Sequence, residues 1–143
     1  MPTANVYPTA DVQTNWTPTP VGAHWSTLDD APAAPADADF VETTTLSVED
    51  EVALGDSPAN TSQVQSVQPT VRGFIDDASA TAKIRFQLFR AGPVQVGGDI
   101  DVTGTNFGGY GTTPANFQIT WSGLTLTKAQ FDSCTLRYKL LGV

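Results

Sequence analysis

His24 is the only histidine in the chain, and Asp29, Asp30, Asp37 and Asp39 follow it. An imidazole near several carboxylates is raw material for a metal centre, and an oxygen-rich set of this kind suits calcium better than zinc. The spacing fits no calcium loop, because the glycine and closing acid at fixed offsets are missing. Asp76-Asp77 and Asp99-x-Asp101 read as the solvated tips and faces of strands, so no metal is expected. Nucleophilic catalysis is no better supplied. Cys134 is the one cysteine, far along the chain from His24, and no Gly-x-Ser-x-Gly elbow occurs. Paired carboxylates for glycoside chemistry stay open, since any two of the fifteen acids could converge in space. The expectation is a protein that is not an enzyme and has no catalytic residues and no cofactor. A single cysteine excludes an intrachain disulfide and is expected to be buried.

With chemistry poorly supplied, binding becomes the question, and the aromatics carry it. The stretch from Asn15 to Phe40 holds Trp16 and Trp25, four prolines, four aspartates and no lysine or arginine. A tryptophan buries on the order of 200 Å². A proline-rich segment has no core of its own, so these rings must pack on the rest of the chain or on a neighbour. Trp16 is expected to dock on a partner, and Trp25, nearer the folded body, to pack against that body. The segment GTNFGGYGTTP, residues 104–114, lacks the Gly-Lys-Ser/Thr ending of a phosphate cradle and reads as a loop tip. Its Phe107 and Tyr110 look exposed. Together with Tyr7 they complete the expected partner interface: Tyr7, Trp16, Trp25, Phe107 and Tyr110.

The elements that must position these residues are strands. Six of the ten prolines fall within residues 1–35, spaced so that neither a helix nor a central strand is expected between them. That segment reads as an extended arm, and residues 36–143 as the folded domain. In TAKIRFQLFR, period-two alternation sends Ala82, Ile84, Phe86 and Leu88 one way and Lys83, Arg85, Gln87 and Phe89 the other. Further short runs lie at 40–46, 62–74 (interrupted at Pro69), 99–104, 116–126 and 134–143, separated by turn clusters. Six or more strands at this spacing predict an all-β, antiparallel, jelly-roll-like sandwich. Phe86, Ile84, Leu88, Ile119 and Trp121 are its expected core. Thr127 and Gln130 form a capping box that starts one short helix at 128–133. SVEDEVALG, 47–55, is expected to be an acidic loop leading into a short strand.

Composition narrows the partners. At 143 residues the chain fits one core, and a chain of this size buries about 70% of its unfolded surface. A formal charge of −8 argues against nucleic acid, which demands a basic face. The charge is uneven: residues 1–60 carry ten acids and no base, whereas residues 61–143 carry seven bases and five acids. The N-terminal part is therefore expected to lie on a basic surface, its own or a partner's. MPTANVYPTAD has neither a basic region nor an apolar run of a secretion signal, and no later stretch is long and apolar enough for a membrane span. A soluble protein made in the cytoplasm, without a membrane partner, is expected.

One resemblance joins these features. Trp16-Thr17, Gly22, Trp25, Leu28-Asp29-Asp30, Asp37-x-Asp39-Phe40-Val41, Leu54-Gly55-Asp56-Ser57-Pro58 and Val64-Gln65-Ser66-Val67 follow an order that resembles a β-sandwich module of bacteriophage virion proteins, notably in phages of actinobacteria. The match covers the first half of the chain directly and the second half by strand rhythm. It departs where Phe40 replaces a commoner tyrosine. The resemblance implies a structural virion component with no catalytic residues to carry over. Small size, the arm and the acidic charge suit a capsid decoration (cement) protein on the capsid surface, whose partners are the major capsid protein and copies of itself. The alternatives are a minor tail protein and, in another class, a carbohydrate-binding module that holds a host glycan on Trp16, Trp25, Phe107 and Tyr110.

Overall fold

The computed structural model describes residues 2–28 and 34–142. Among these, eleven strands and two four-residue helices follow in the order β1 (Pro8–Gln13), β2 (Thr17–Thr19), α1 (His24–Thr27), β3 (Phe40–Glu42), β4 (Glu49–Leu54), β5 (Gln63–Val67), β6 (Thr70–Gly73), β7 (Lys83–Arg90), β8 (Val94–Thr103), β9 (Ala115–Gln118), β10 (Trp121–Thr127), α2 (Lys128–Phe131) and β11 (Thr135–Leu141). A five-stranded sheet runs β1-β4-β11-β7-β8, and three two-stranded sheets pair β10 with β5, β2 with β3 and β6 with β9. All these pairings are antiparallel. The fold is all-β, as the alternation predicts.

Alternation builds the core. Phe86 and Leu88 of β7, Val96 and Val102 of β8, Leu136 and Tyr138 of β11 and Val52 of β4 are buried from the main sheet. Val67, Trp121, Leu126 and Phe131 meet them from β5, β10 and α2, and Ile119 from the link between β9 and β10. Of the expected core, Ile84 is only half-buried and the other four are inside. Cys134 is buried at 1% exposure. Trp121 fastens the layers together: its indole N–H donates to the Gly98 carbonyl at 2.8 Å. The ring lies so close to Gly97 that a Cβ there would stand 2.6 Å from Trp121 Cδ1, and Gly97 has φ +69°, which glycine tolerates best.

The capping box forms as predicted. Gln130 N–H donates to Thr127 Oγ1 at 3.2 Å, and Thr127 N–H donates to Gln130 Oε1 at 2.9 Å. A second helix, α1, was not expected from the sequence. The gap between Pro20 and Pro32 leaves room for one helical turn. The short strand expected within 47–55 is present but takes in the acids that were expected to form a loop before it, because Val48, Asp50 and Val52 alternate with Glu49 and Glu51 and each acid finds a donor.

The sequence sets residues 1–35 apart as an arm, whereas in the structure β1 already belongs to the main sheet. Pro8 opens an edge strand, where a missing N–H costs no ladder bond. The described residues from Pro8 to Leu28 are part of the sandwich.

Candidate functional site

Asp50 stands on the inner face of β4, between Val48 and Val52, and is fully buried. Isolated there, a carboxylate would be costly. It is instead saturated. Oδ1 accepts the backbone N–H of Asn15 at 2.7 Å and of Trp16 at 3.3 Å. Oδ2 accepts the Tyr138 hydroxyl at 2.7 Å and is 2.5 Å from His24 Nδ1. Three of the four donors come from the N-terminal segment and one from β11. Burial, and after it the Asp50 charge, drives the Tyr138 phenol well above its ordinary pKa and keeps it a donor.

A second carboxylate completes the arrangement. Asp11 lies opposite Val52 in the β1–β4 ladder. Its oxygens accept the N–H groups of His24 at 3.1 Å and Trp25 at 2.7 Å. These are the first two free donors of α1, so Asp11 does from a neighbouring strand what Ala23, at the N-cap position, cannot. The helix turn in turn presents the His24 ring to Asp50. Trp16 follows the same route inward: its Nε1 donates to the Val48 carbonyl at 3.0 Å, and its ring meets Tyr138 edge-on with centroids 5.1 Å apart. The arrangement works as a socket that fastens the N-terminal segment to the sheet.

The expected interface residues are placed as follows. Trp16, expected on a partner, is instead in the core at 9% exposure, whereas Trp25, expected to pack against the folded body, is half-buried against that core. Trp16 goes inside because its backbone N–H and indole N–H both find buried acceptors. Phe107, on a 3-10 turn over Gly104–Phe107, is buried at 4% rather than held at a loop tip. Tyr110 is half-buried, its hydroxyl donating to the Ala82 carbonyl at 3.1 Å and its ring covering Gly104. Tyr7 is exposed, with its carbonyl accepting the Gly55 N–H at 2.8 Å. A sugar-stacking platform would need these rings at the surface, and two of the four proposed for it are inside.

The expected metal donors do not converge. His24 is taken by Asp50, Asp37 is paired with Arg72 at 2.5 Å, and Asp29 and Asp30 lie outside the described residues. Among the described residues no three of His, Cys, Asp or Glu are grouped to hold an ion. Asp77 accepts from Ser79, Thr81 and Ala82 within its own turn, and these bonds, the Ser79 side chain's first, push its carboxyl far down. Asp101 is held at about 2, mainly by the bond from Arg85. Asp132 also falls to about 2, first through Lys128 and then through Ser57. Burial pushes the Cys134 thiol up to about 11, out of reach of thiolate chemistry.

No family model, curated protein or solved structure matches the chain. The surface must therefore speak for itself, and it is divided. On the outer face of the main sheet, Glu49 and Glu51 meet Lys139 and Arg137, each at 2.9 Å, and Asp101 meets Lys83 at 2.6 Å and Arg85 at 2.7 Å. Part of the N-terminal acidity is thus answered by the chain's own C-terminal half. The flank around β2 and β3 differs. Asp39 and Glu42 have no ion-pair partner among the described residues, and Phe40 between them is 38% exposed. Of the seven exposed large hydrophobics among the described residues, Tyr7, Val12, Val21, Phe40 and Leu46 fall between residues 7 and 46, with Val21 at 97%. Apolar exposure and unpaired negative charge thus fall within one N-terminal stretch of the sequence, residues 7–46.

Sequence reading missed Asp50, Asp11 and Tyr138. A local signal existed for two of them: Asp50 occupies the inward position of the Val48-x-Asp50-x-Val52 alternation, and Tyr138 that of Leu136-x-Tyr138-x-Leu140.

Proposed function

We propose that the protein is a structural subunit of a bacteriophage particle, a capsid decoration protein that clamps neighbouring capsid subunits through its N-terminal flank. One observation supports an assembly role above others: among the described residues, five of the seven exposed large hydrophobics lie within residues 7–46, in a part of the chain without lysine or arginine. Apolar side chains left at the surface of an otherwise closed sandwich fit a contact to be covered by a partner. The acids around them select a basic partner surface and repel a second acidic one. The phage particle enters through the sequence resemblance, and the head rather than the tail through small size and acidic charge.

Binding to undecorated heads tests the reading. Val21→Asp and Phe40→Asp change exposed side chains, so each should leave the melting temperature within a degree or two while weakening head binding at least tenfold. Unchanged binding by both variants would remove this flank from the interface.

A further inference from the structure

We infer that copies of this chain join head to tail, the Phe74–Asp76 knob of one entering the cavity beside Arg90 of the next. The inference does not depend on the virion reading.

The cavity holds the chain's one unmatched base. Of the seven lysines and arginines, Arg72, Lys83, Arg85, Lys128, Arg137 and Lys139 each pair with a described acid, and Arg90 pairs with none among the described residues. Arg90 lines a cavity of about 220 Å³ at the end of β7, with Phe89 and Pro93 as its apolar side. Glu51 also faces the cavity, but its carboxylate is held by Arg137 at 2.9 Å and by the Thr135 hydroxyl, which leaves Arg90 as the uncompensated charge. That volume is below the range of small-molecule sites and suits one side chain of a protein partner. The walls are fixed: Ala91 N–H donates to Ser133 Oγ at 3.1 Å, and Ser133 Oγ donates to the Gln130 carbonyl at 2.7 Å.

The knob matches it in kind. Besides the five exposed large hydrophobics of the N-terminal stretch, the described residues hold two more, Phe74 and Val94, each 41% exposed. Val94 adjoins the cavity, next to Pro93. Phe74 stands two residues from Asp76, which is exposed and has no ion-pair partner among the described residues. Between them Ile75 is buried, and its carbonyl accepts the Gly111 N–H at 3.0 Å. Asp77 then closes a turn by accepting from Ser79, Thr81 and Ala82. A knob held on both sides loses little freedom when it docks. An aromatic ring suits the apolar wall, and a carboxylate suits the lone guanidinium.

Topology makes the contact intermolecular. The Asp77 turn leads into the start of β7, and Arg90 ends that strand, seven residue steps or about 23 Å away. Knob and cavity lie toward opposite ends of one strand, so a chain cannot fill its own cavity. The contact is heterologous and repeats from copy to copy. It is small against a stable interface, so it needs high concentration or a lattice that holds copies close together.

Sedimentation equilibrium of the full chain up to millimolar concentration reads the contact. The parent should self-associate. Asp76→Arg and Arg90→Glu should each weaken this at least about tenfold by placing like charges together. They move the net charge in opposite directions, so general repulsion cannot weaken both. An equimolar mixture of the two should restore association, because the Asp76 of one chain still meets the Arg90 of the other, and restoration shows that both variants fold. Asp39→Arg, on the N-terminal stretch, should associate like the parent. A parent monomeric throughout, a reversal without effect, a mixture no stronger than its components, or a loss in Asp39→Arg equal to that in Asp76→Arg would overturn the contact.

Discussion

Replacing Asp50 by asparagine keeps its size and puts an amide N–H₂ among four donors, so at least one bond to Asn15, Trp16, His24 or Tyr138 becomes a clash of donors. Breaking a buried charged arrangement in this way costs about 3–5 kcal/mol. Tyr138→Phe removes one bond to a charged acceptor and should cost about 1.5–3 kcal/mol. Urea unfolding of the two variants and of the double variant should show the costs to be less than additive, because they share one acceptor. An Asp50→Asn chain as stable as the parent would mean that the socket holds nothing. Acid titration probes a different set. Asp101 and Asp132 have folded values near 2, below the ordinary 3.8. Groups depressed on folding stabilise above their unfolded pKa, so this contribution is complete above about pH 4–5 and is lost as pH falls through about 2. The melting temperature should therefore drop steeply between pH 4 and pH 2, and Asp132→Asn should flatten part of that drop. An identical slope in the variant would remove Asp132 from the explanation.

At the scale of elements, β7 is the strand on which the sandwich most depends, flanked by β11 and β8 and burying Phe86 and Leu88. Phe86→Ala should cost about 3–5 kcal/mol by leaving a cavity. An unchanged unfolding midpoint would show that β7 does not pack as described. Trp16→Ala should cost a similar amount, a stability effect in the isolated protein rather than the pure binding defect its sequence position suggests. The contrast between these residues shows what a sequence makes legible. Phe86 sits in an alternating run whose period is local, and the capping box at Thr127 spans four residues, so both could be read directly. Trp16, His24 and Asp50 lie in runs with weak or mixed periodicity. Their meaning comes from partners 26 to 88 residues away, as in the His24–Asp50 and Tyr138–Asp50 contacts. Prolines around α1 hid a helical turn because its cap is supplied by Asp11 from another strand. Phe107 looked exposed among glycines, yet the 3-10 turn carries it inward.

For the whole molecule, charge and apolar exposure are segregated. The outer face of the main sheet is balanced within the chain, acids on β4 and β8 meeting bases on β11 and β7. The N-terminal stretch holds Asp39 and Glu42, without ion-pair partners among the described residues, beside Phe40, and adds the exposed Val21 and Leu46. Such a division fits a subunit with one face for solvent and another for a neighbour, and attachment through the flank should weaken as salt rises. Absolute quantification of the protein in purified phage particles by mass spectrometry tests the central claim most directly. The decoration reading predicts copies in the hundreds per particle, retained in isolated heads. A handful per particle, confined to tails, would contradict the head assignment, and absence from purified particles would contradict the structural role altogether.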